Sequence, residues 1–338
     1  MPLRRRALSP CPQRMLTCAL TIATLSVTML GHDSIAYAGS GELVTTFGGD
    51  VCLDRSRLVP EAKGTRLGSK LMPWKKLTRH IRKWVNGDIN FVNLETVVSD
   101  KPLSSVQNQD AFLSHPIGVD YLVRRGINLM STANNHAYDY GQHGARSTLR
   151  HLPRLMRKRK KLHQADYKIL SAHVGVERSV RLDRGQRAKY EQALKRAGVD
   201  LIIGHHPHVV RPVQREGRKL VFYSLGNYLI RGARNMAPFP DRLDYGLFGR
   251  VYLTFDVKRG RLVPTAVEAI PMTEMHAVSR PLASAEGKRR VAVLNKISKK
   301  QLGAEGLQFK VRKDGSGVAC LGGSYGPRAR KICRRKRR

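Results

Sequence analysis

The sequence predicts an α/β protein, because apolar strand-like segments alternate with polar loops and with segments of helical periodicity. A helix is predicted where large apolar residues recur every three or four positions between Leu71 and Trp84, and a second one covers about 184–197. Five earlier strands are predicted, at 43–47, 89–94, 127–132, 168–172 and 199–203. A further strand at 219–225 and a hairpin of 249–256 with 261–270 follow.

Each of the five earlier strands ends at a short loop that carries Asp, Glu, Asn or His. Functional sites of α/β sheets lie beyond the carboxyl ends of the strands, so these loops are predicted to form one site. Carboxylates and imidazoles are the donors of two-metal centres, whose ions lie about 3.5–4 Å apart. A lone histidine at such a place is more often structural, but four at strand ends, two of them in one tight loop, favour metal binding. The candidates are Asp50, Glu95, Asn135, His136, His173, His206 and His208.

The first 38 residues are predicted to be a signal peptide. Arginines at positions 4–6 precede an apolar stretch at 15–30, and Ala36-Tyr37-Ala38 supplies the small residues of a cleavage site. The apolar stretch is short for a membrane span. We therefore expect export to the periplasm or cell envelope, with an uncleaved membrane anchor as the alternative.

The formal charge of +37 favours polyanionic partners. We see no nucleic-acid recognition motif, and export argues against a genomic role, so no specific nucleic-acid partner is expected. Residues 39–297 are predicted to form the folded domain and residues 298–338 a basic extension. That extension is most simply a solvated tail, and contact with a polymer or a membrane surface is the second interpretation.

The chain has five cysteines, of which Cys11 and Cys18 fall within the predicted signal peptide. In an oxidising compartment, Cys320 and Cys333 could be joined, although the sequence alone leaves this pairing open. Cys52 would then be left over, and we expect it to be a small buried apolar residue.

Several sequence blocks resemble the signatures of the CapA family of capsule (poly-γ-glutamate) biosynthesis proteins. They are Gly49-Asp50, Asn93-Leu94-Glu95, Ala133-Asn134-Asn135-His136 with Asp139-Tyr140-Gly141, Gly204-His205-His206-Pro207-His208-Val209 and Ser224-Leu225-Gly226-Asn227. The resemblance implies a metallophosphoesterase-like four-layer α/β/β/α sandwich. It also implies a role in making, exporting or anchoring poly-γ-glutamate or a related capsule precursor.

The resemblance further implies a role for each site residue. His136 would be the catalytic acid and Asp139 its orienting partner. Two divalent ions would be held by Asp50, Glu95, Asn135, His173, His206 and His208. The mixed nitrogen and oxygen donors of this set suit manganese, zinc or iron better than calcium.

The interval between Gly144 and His173 is shorter than in the family, so the sandwich is expected to be shortened in its middle. The reaction stays open at this point. A metal-dependent capsule-assembly factor, a general exported phosphoesterase and a non-catalytic polymer-binding scaffold are the three hypotheses.

Overall fold

The computed structural model describes residues 22–27, 41–53, 62–67, 70–104, 111–155, 167–230, 245–276 and 278–333. The predicted signal peptide therefore lies largely outside the described residues, as do residues 156–166 of the shortened interval and the last five residues of the chain.

Eighteen strands and seven α-helices make up this part of the chain. The strands are β1 (Ile22–Val27), β2 (Glu42–Cys52), β3 (Gly64–Leu67), β4 (Lys70–Pro73), β5 (Ile89–Leu94), β6 (Val97–Val98), β7 (Leu113–Ser114), β8 (Leu129–Ser131), β9 (Tyr167–His173), β10 (Leu201–His205), β11 (Val213–Glu216), β12 (Lys219–Phe222), β13 (Asn227–Ile230), β14 (Gly246–Asp256), β15 (Arg261–Thr273), β16 (Arg280–Pro281), β17 (Lys310–Val311) and β18 (Gly317–Cys320). The helices are α1 (Trp74–Leu77), α2 (Ile81–Trp84), α3 (Pro116–Arg124), α4 (Gly141–Leu155), α5 (Arg184–Lys195), α6 (Ser284–Leu302) and α7 (Pro327–Cys333).

Two large sheets form the centre of the fold. The larger sheet has the order β17-β18-β15-β14-β2-β5-β8, with β13 beside β2 and β16 beside β15. The smaller sheet has the order β1-β9-β10-β12-β11. In the larger sheet β2, β5 and β8 are parallel neighbours, and in the smaller sheet β9, β10 and β12 are.

Alternation of side chains along the strands produces three apolar layers. Phe47 and Phe91 of the larger sheet share one buried cluster with Ile203 and Phe222 of the smaller sheet, so the two sheets pack face to face. On its outer face, the larger sheet packs against the first helices of the chain, through residues such as Val92, Trp74 and Val119. The outer face of the smaller sheet packs against α5, through residues such as Ile202, Val221 and Tyr190. The order of layers is therefore α/β/β/α, which confirms the predicted fold class.

The predicted helix around Leu71–Trp84 is wrong in one respect, because two short helices take its place. The break falls at Thr78, whose backbone N–H and side-chain hydroxyl both donate to the carbonyl of Trp74, at 3.0 and 2.9 Å. A hydroxyl that bonds to the backbone in this way competes with regular helix geometry. Trp74, Leu77 and Ile81 still face the core, as the periodicity predicts.

The interpretation of residues from 298 onward as a solvated tail is also wrong for the described residues. Helix α6 runs through position 298, and β18 pairs with β15 in the larger sheet. Ala329 of α7 is buried against Val44 and Tyr252. The edge of a sheet offers backbone hydrogen bonds to any sequence, so a basic segment with few apolar residues can still join the fold.

Helix α7 is held to the start of β2 by charged groups. The carboxylate of Glu42 is buried and accepts hydrogen bonds from the backbone N–H groups of Arg328 and Ala329, both at 2.8 Å. The guanidinium of Arg328 contacts Glu42 at 3.2 Å and Asp88 at 2.6 Å. A carboxylate at this position satisfies N–H groups that the first turn of a helix leaves without partners.

Strand β1 lies within the predicted signal peptide and pairs antiparallel with β9 at the edge of the smaller sheet. Cleavage after Ala38, which stays a prediction, would remove β1 and leave β9 as the edge strand. Among the residues that the structure describes, no helix has the length and apolar character needed to cross a bilayer.

Cys320 and Cys333 form a disulfide that joins β18 to α7 across a sequence separation of 13 residues. We expect Cys333→Ser to lower the free energy of unfolding by about 3 kcal/mol, because closing a loop of this length restricts the unfolded chain by about that much. Chemical denaturation of the two proteins measures the difference. Reductant should destabilise the wild type and leave the variant unchanged; equal stabilities under oxidising conditions would contradict the prediction.

Candidate metal centre

The two carboxylates of the site come from neighbouring parallel strands of the larger sheet. Asp50 lies near the end of β2, in register with Asn93 of β5, and Glu95 follows β5 directly. The Glu95 backbone N–H donates to the carbonyl of Val51 at 2.8 Å. Both side chains are fully buried. The strand register therefore brings the two acids side by side.

Gly49, the residue before Asp50, lies where only a glycine fits. A Cβ atom at this position would lie 1.9 Å from the carbonyl oxygen of Gly226, so only glycine allows the turn at 224–227 to approach β2 so closely. The Asp50 backbone N–H donates to that same oxygen at 3.2 Å. This approach brings Asn227 to the site.

Four of the site's five histidines come from the smaller sheet. His173 ends β9 and His205 ends β10, and the two are in register. His206 and His208 lie in the loop that follows, with positive φ angles of 91° and 55°. For non-glycine residues, such φ angles cost about 1–3 kcal/mol each and are characteristic of functional sites. Contacts of the loop hold this conformation, among them a 2.8 Å hydrogen bond from the backbone N–H of Arg178 to the carbonyl of Pro207.

Asp50 has polar neighbours on all sides. Asn93 Nδ2 donates to its Oδ1 at 2.8 Å, and the Nδ1 atoms of His205 and His208 lie 3.3 and 3.4 Å from its carboxylate oxygens. Burial alone would raise the pKa of the Asp50 carboxyl, but His205, His173 and His208 outweigh it and hold the pKa well below its ordinary value. Asp50 is therefore a carboxylate.

Glu95 differs from Asp50 in its hydrogen bonding. Among the described residues, neither of its buried oxygens has a hydrogen-bond partner. His173 Nε2 lies 3.3 Å from Oε1 and His208 Nε2 lies 3.8 Å from it, both without hydrogen-bond geometry. Burial and the Asp50 charge raise the pKa of the Glu95 carboxyl, and His208 and His173 lower it to a net value below the ordinary one.

Asp50, Glu95 and His208 form the one group of three possible metal ligands found in the described part of the chain, with donor atoms within 4.8 Å of one another. Burial lowers the pKa of His208, but Glu95, Asp50 and a 2.7 Å contact between His208 Nδ1 and Asn227 Oδ1 raise it above its ordinary value. His206 Nδ1 lies 3.2 Å from His173 Nε2. Burial and the neighbouring His173 and His208 lower the pKa of His206.

His136 and Asp139 form a pair beside this group. His136 Nδ1 lies 2.8 Å from Asp139 Oδ2, and its Nε2 lies 3.8 Å from Glu95 Oε1. The backbone N–H of Phe112 donates to the same Asp139 oxygen at 2.7 Å. The Phe112 ring stacks on the imidazole, with centroids 3.8 Å apart. The imidazole is thus fixed along its edge and across its face, with Nε2 directed to Glu95.

The two asparagines before His136 have different surroundings. Asn134 is buried and donates from Nδ2 to Asn93 Oδ1 at 3.2 Å and to the Leu94 carbonyl at 2.9 Å. Asn135, the predicted ligand, is exposed at the start of a 3₁₀ turn. The structure thus brings together Asp50, Glu95, His136, Asp139, His173, His206 and His208. It leaves Asn135 exposed, and the role of Asn135 as a ligand stays a prediction.

Sequence reasoning missed five residues of the site, which are Asn93, Phe112, Asn134, His205 and Asn227. Four of them belong to the signature blocks, so the blocks were the signal. Their roles follow from strand register, which the sequence does not give. Phe112 lies outside the blocks, and no sequence pattern marked it.

Two curated proteins match part of the chain. The PGA biosynthesis protein CapA of Bacillus subtilis is 38% identical over 65 residues, which cover 19% of this chain and 17% of that protein. The capsule biosynthesis protein CapA of Bacillus anthracis is 28% identical over 127 residues, covering 38% of this chain and 28% of that protein. The matches thus span less than a third of either relative.

Two solved structures also resemble the fold. They are a novel phosphatase from Mycoplasma pneumoniae, with 12% identity and a TM-score of 0.33, and a hypothetical protein from Thermus thermophilus, with 14% identity and a TM-score of 0.34. The alignments cover 69% and 68% of this chain and 94% and 98% of those chains, respectively. TM-scores of this size support no conclusion about the site.

The family defined as bacterial capsule synthesis protein PGA_cap matches residues 44–156 and 153–231. These ranges cover more than half of the chain and contain every residue of the site described above. The chain therefore belongs to the PGA_cap family of bacterial capsule synthesis proteins.

Proposed function

We propose that the protein is an exported, metal-dependent capsule-assembly factor that acts on an anionic polymer, such as poly-γ-glutamate, or on its precursor. The observation that carries the proposal is the convergence of Asp50, Glu95 and His208, with both Glu95 oxygens buried and without hydrogen-bond partners among the described residues.

The residues present fit a divalent cation. Two carboxylates buried side by side repel each other, and buried carboxylates require compensation by charge or hydrogen bonds. The histidines supply part of this compensation to Asp50 and leave Glu95 short of donors. Mixed oxygen and nitrogen donors suit manganese, zinc or iron better than calcium. Asp50, Glu95 and His208 would hold the metal with His173 and His206, and a pair of ions is part of the proposal.

When bound, divalent ions of such a centre supply Lewis-acid catalysis. The chain's own contribution is a positioned proton donor. The contact with Asp139 orients the His136 ring and places the proton of the neutral form on Nδ1. Nε2 then faces the site, where a proton that it carries can be passed to a leaving oxygen.

Three further observations support export and an anionic substrate. The charge of +37 favours polyanions. The N-terminal segment has the pattern of a signal peptide. A structural disulfide is typical of proteins that work in oxidising compartments outside the cytoplasm.

The His136–Asp139 pair also favours a second candidate, a general exported phosphoesterase. The third hypothesis, a non-catalytic scaffold, is favoured by the basic charge alone. The assembly factor and the scaffold differ in whether polymer binding depends on metal. The phosphoesterase differs from both in its substrate.

Metal binding can be tested by elemental analysis of the purified full-length chain after loading with manganese or zinc. We expect bound metal in the wild type and in His143→Ala, which removes an exposed histidine of α4. His208→Ala and Asp50→Ala should lose most of it. In the wild type, metal should also raise the melting temperature, because binding to the folded state alone stabilises it. Equal metal contents in all four proteins would contradict the proposed centre.

The role of His136 can be tested by turnover of aryl phosphates and of poly-γ-glutamate with manganese present. We expect His136→Gln to lower any turnover by about 100-fold or more, the usual size of a general acid's contribution. Metal content should stay unchanged, and His143→Gln should behave as the wild type. Full activity of His136→Gln would exclude the assigned role.

Binding of poly-γ-glutamate separates the assembly factor from the scaffold. We expect chelation to weaken binding by the proposed metal-dependent factor. Binding that survives chelation but is lost at moderate salt would identify a scaffold, because exposed charges are screened within about 10 Å at 0.1 M salt.

A further inference from the structure

The end of the molecule opposite the candidate metal centre is formed by residues 41–42, 88, 256–261 and 327–333, which we call the basal end. Glu42 opens β2, whereas Asp50 lies eight residues further along the same strand, roughly 25 Å away at the rise of a β-strand. In the sheet, Glu42 is in register with Thr254, so the turn after β14 lies at this end as well. Arg328 contacts Glu42 and Asp88, which places α7 beside them.

The acidic residues of the basal end are each paired with an arginine. Glu42 and Asp88 are both paired with Arg328, and Asp256 is paired with Arg259 at 2.6 Å. Lys258, Arg261 and Lys331 are exposed, and the ion pairs of the described residues include none of them. The basal end holds three acidic residues, Glu42, Asp88 and Asp256, and six basic ones, which are Lys258, Arg259, Arg261, Arg328, Arg330 and Lys331. It therefore carries a net positive charge.

An apolar side chain stands at the tip of this charged surface. Val257 is 83% exposed, the most exposed of the large apolar residues that the structure describes. It lies in the turn between β14 and β15, beside Lys258 and Arg259. An apolar tip surrounded by basic side chains gains energy at a lipid interface, where the tip enters the acyl boundary and the cations contact anionic headgroups. A soluble anionic polymer would use the cations only.

We propose that the basal end is a docking surface for an anionic lipid bilayer. In this orientation the candidate metal centre faces away from the membrane. Its distance from the docked end is roughly the length of β2. The inference does not depend on the proposed reaction.

The test is binding of the full-length chain to vesicles of phosphatidylglycerol mixed with phosphatidylcholine. We expect the basal variant K258Q/R261Q/K331Q to bind at least tenfold more weakly, because each basic residue near an anionic surface contributes separately. The matched control R146Q/R181Q/R184Q removes the same charge from exposed positions that follow the site-side ends of β8 and β9. It should change binding less than twofold. Equal losses in the two variants would show general attraction to a basic protein and overturn the inference.

Insertion of the tip gives a second, independent readout. Val257→Trp should be quenched by brominated lipids in these vesicles, whereas Leu149→Trp, at an exposed position of α4, should not. Equal quenching of the two variants, or no quenching of either, would overturn the inference. So would a basal variant that loses poly-γ-glutamate binding but keeps vesicle binding, since the surface would then be a polymer site. Chelation should leave vesicle binding unchanged even if it abolishes the proposed function.

Discussion

Asp50 and Glu95 are buried side by side, so their carboxylates need compensating neighbours. The arrangement of the two sheets supplies these neighbours. The larger sheet supplies both acids, and the smaller sheet supplies His173, His205 and the loop with His206 and His208. Neither sheet could hold such a group alone, since buried carboxylates need hydrogen-bond donors or compensating charge around them. The apolar contact between the sheets, including the edge-to-face pair Phe47–Phe222, therefore also fixes the distances within the site.

Much of this architecture could be predicted from the sequence, because the apolar strands, the polar loops and the helical periodicity all indicated the same α/β fold. Strand β5 has the predicted bounds, and β9 and β10 lie within two residues of theirs, since buried strands that end in polar loops leave a clear signal. The break at Thr78 was missed because a hydroxyl that bonds to a carbonyl one turn earlier does not alter the apolar periodicity. The fold of the C-terminal segment was missed because the contacts that hold it do not appear in its apolar pattern. Glu42, which binds α7, lies far away in the sequence, and Cys320 holds α7 through a disulfide.

The candidate site was predictable in composition and less so in detail. Adjacent residues of one block, such as Asn134 and Asn135, point to different surroundings, and only the backbone conformation decides which is buried. The same holds for His205, which alternation along β10 turns inward beneath Asp50 while His206 lies in the loop. Phe112 approaches His136 from a different segment of the chain, so that contact belongs to the tertiary structure alone.

The clasp between Glu42 and Arg328 brings the first and last described parts of the domain together. Helix α7 has only seven residues, so the chain leaves the domain about 10 Å or less from where it is clasped, at 1.5 Å of rise per residue. A circularly permuted chain that joins these ends with a short linker and opens elsewhere should therefore retain the same core.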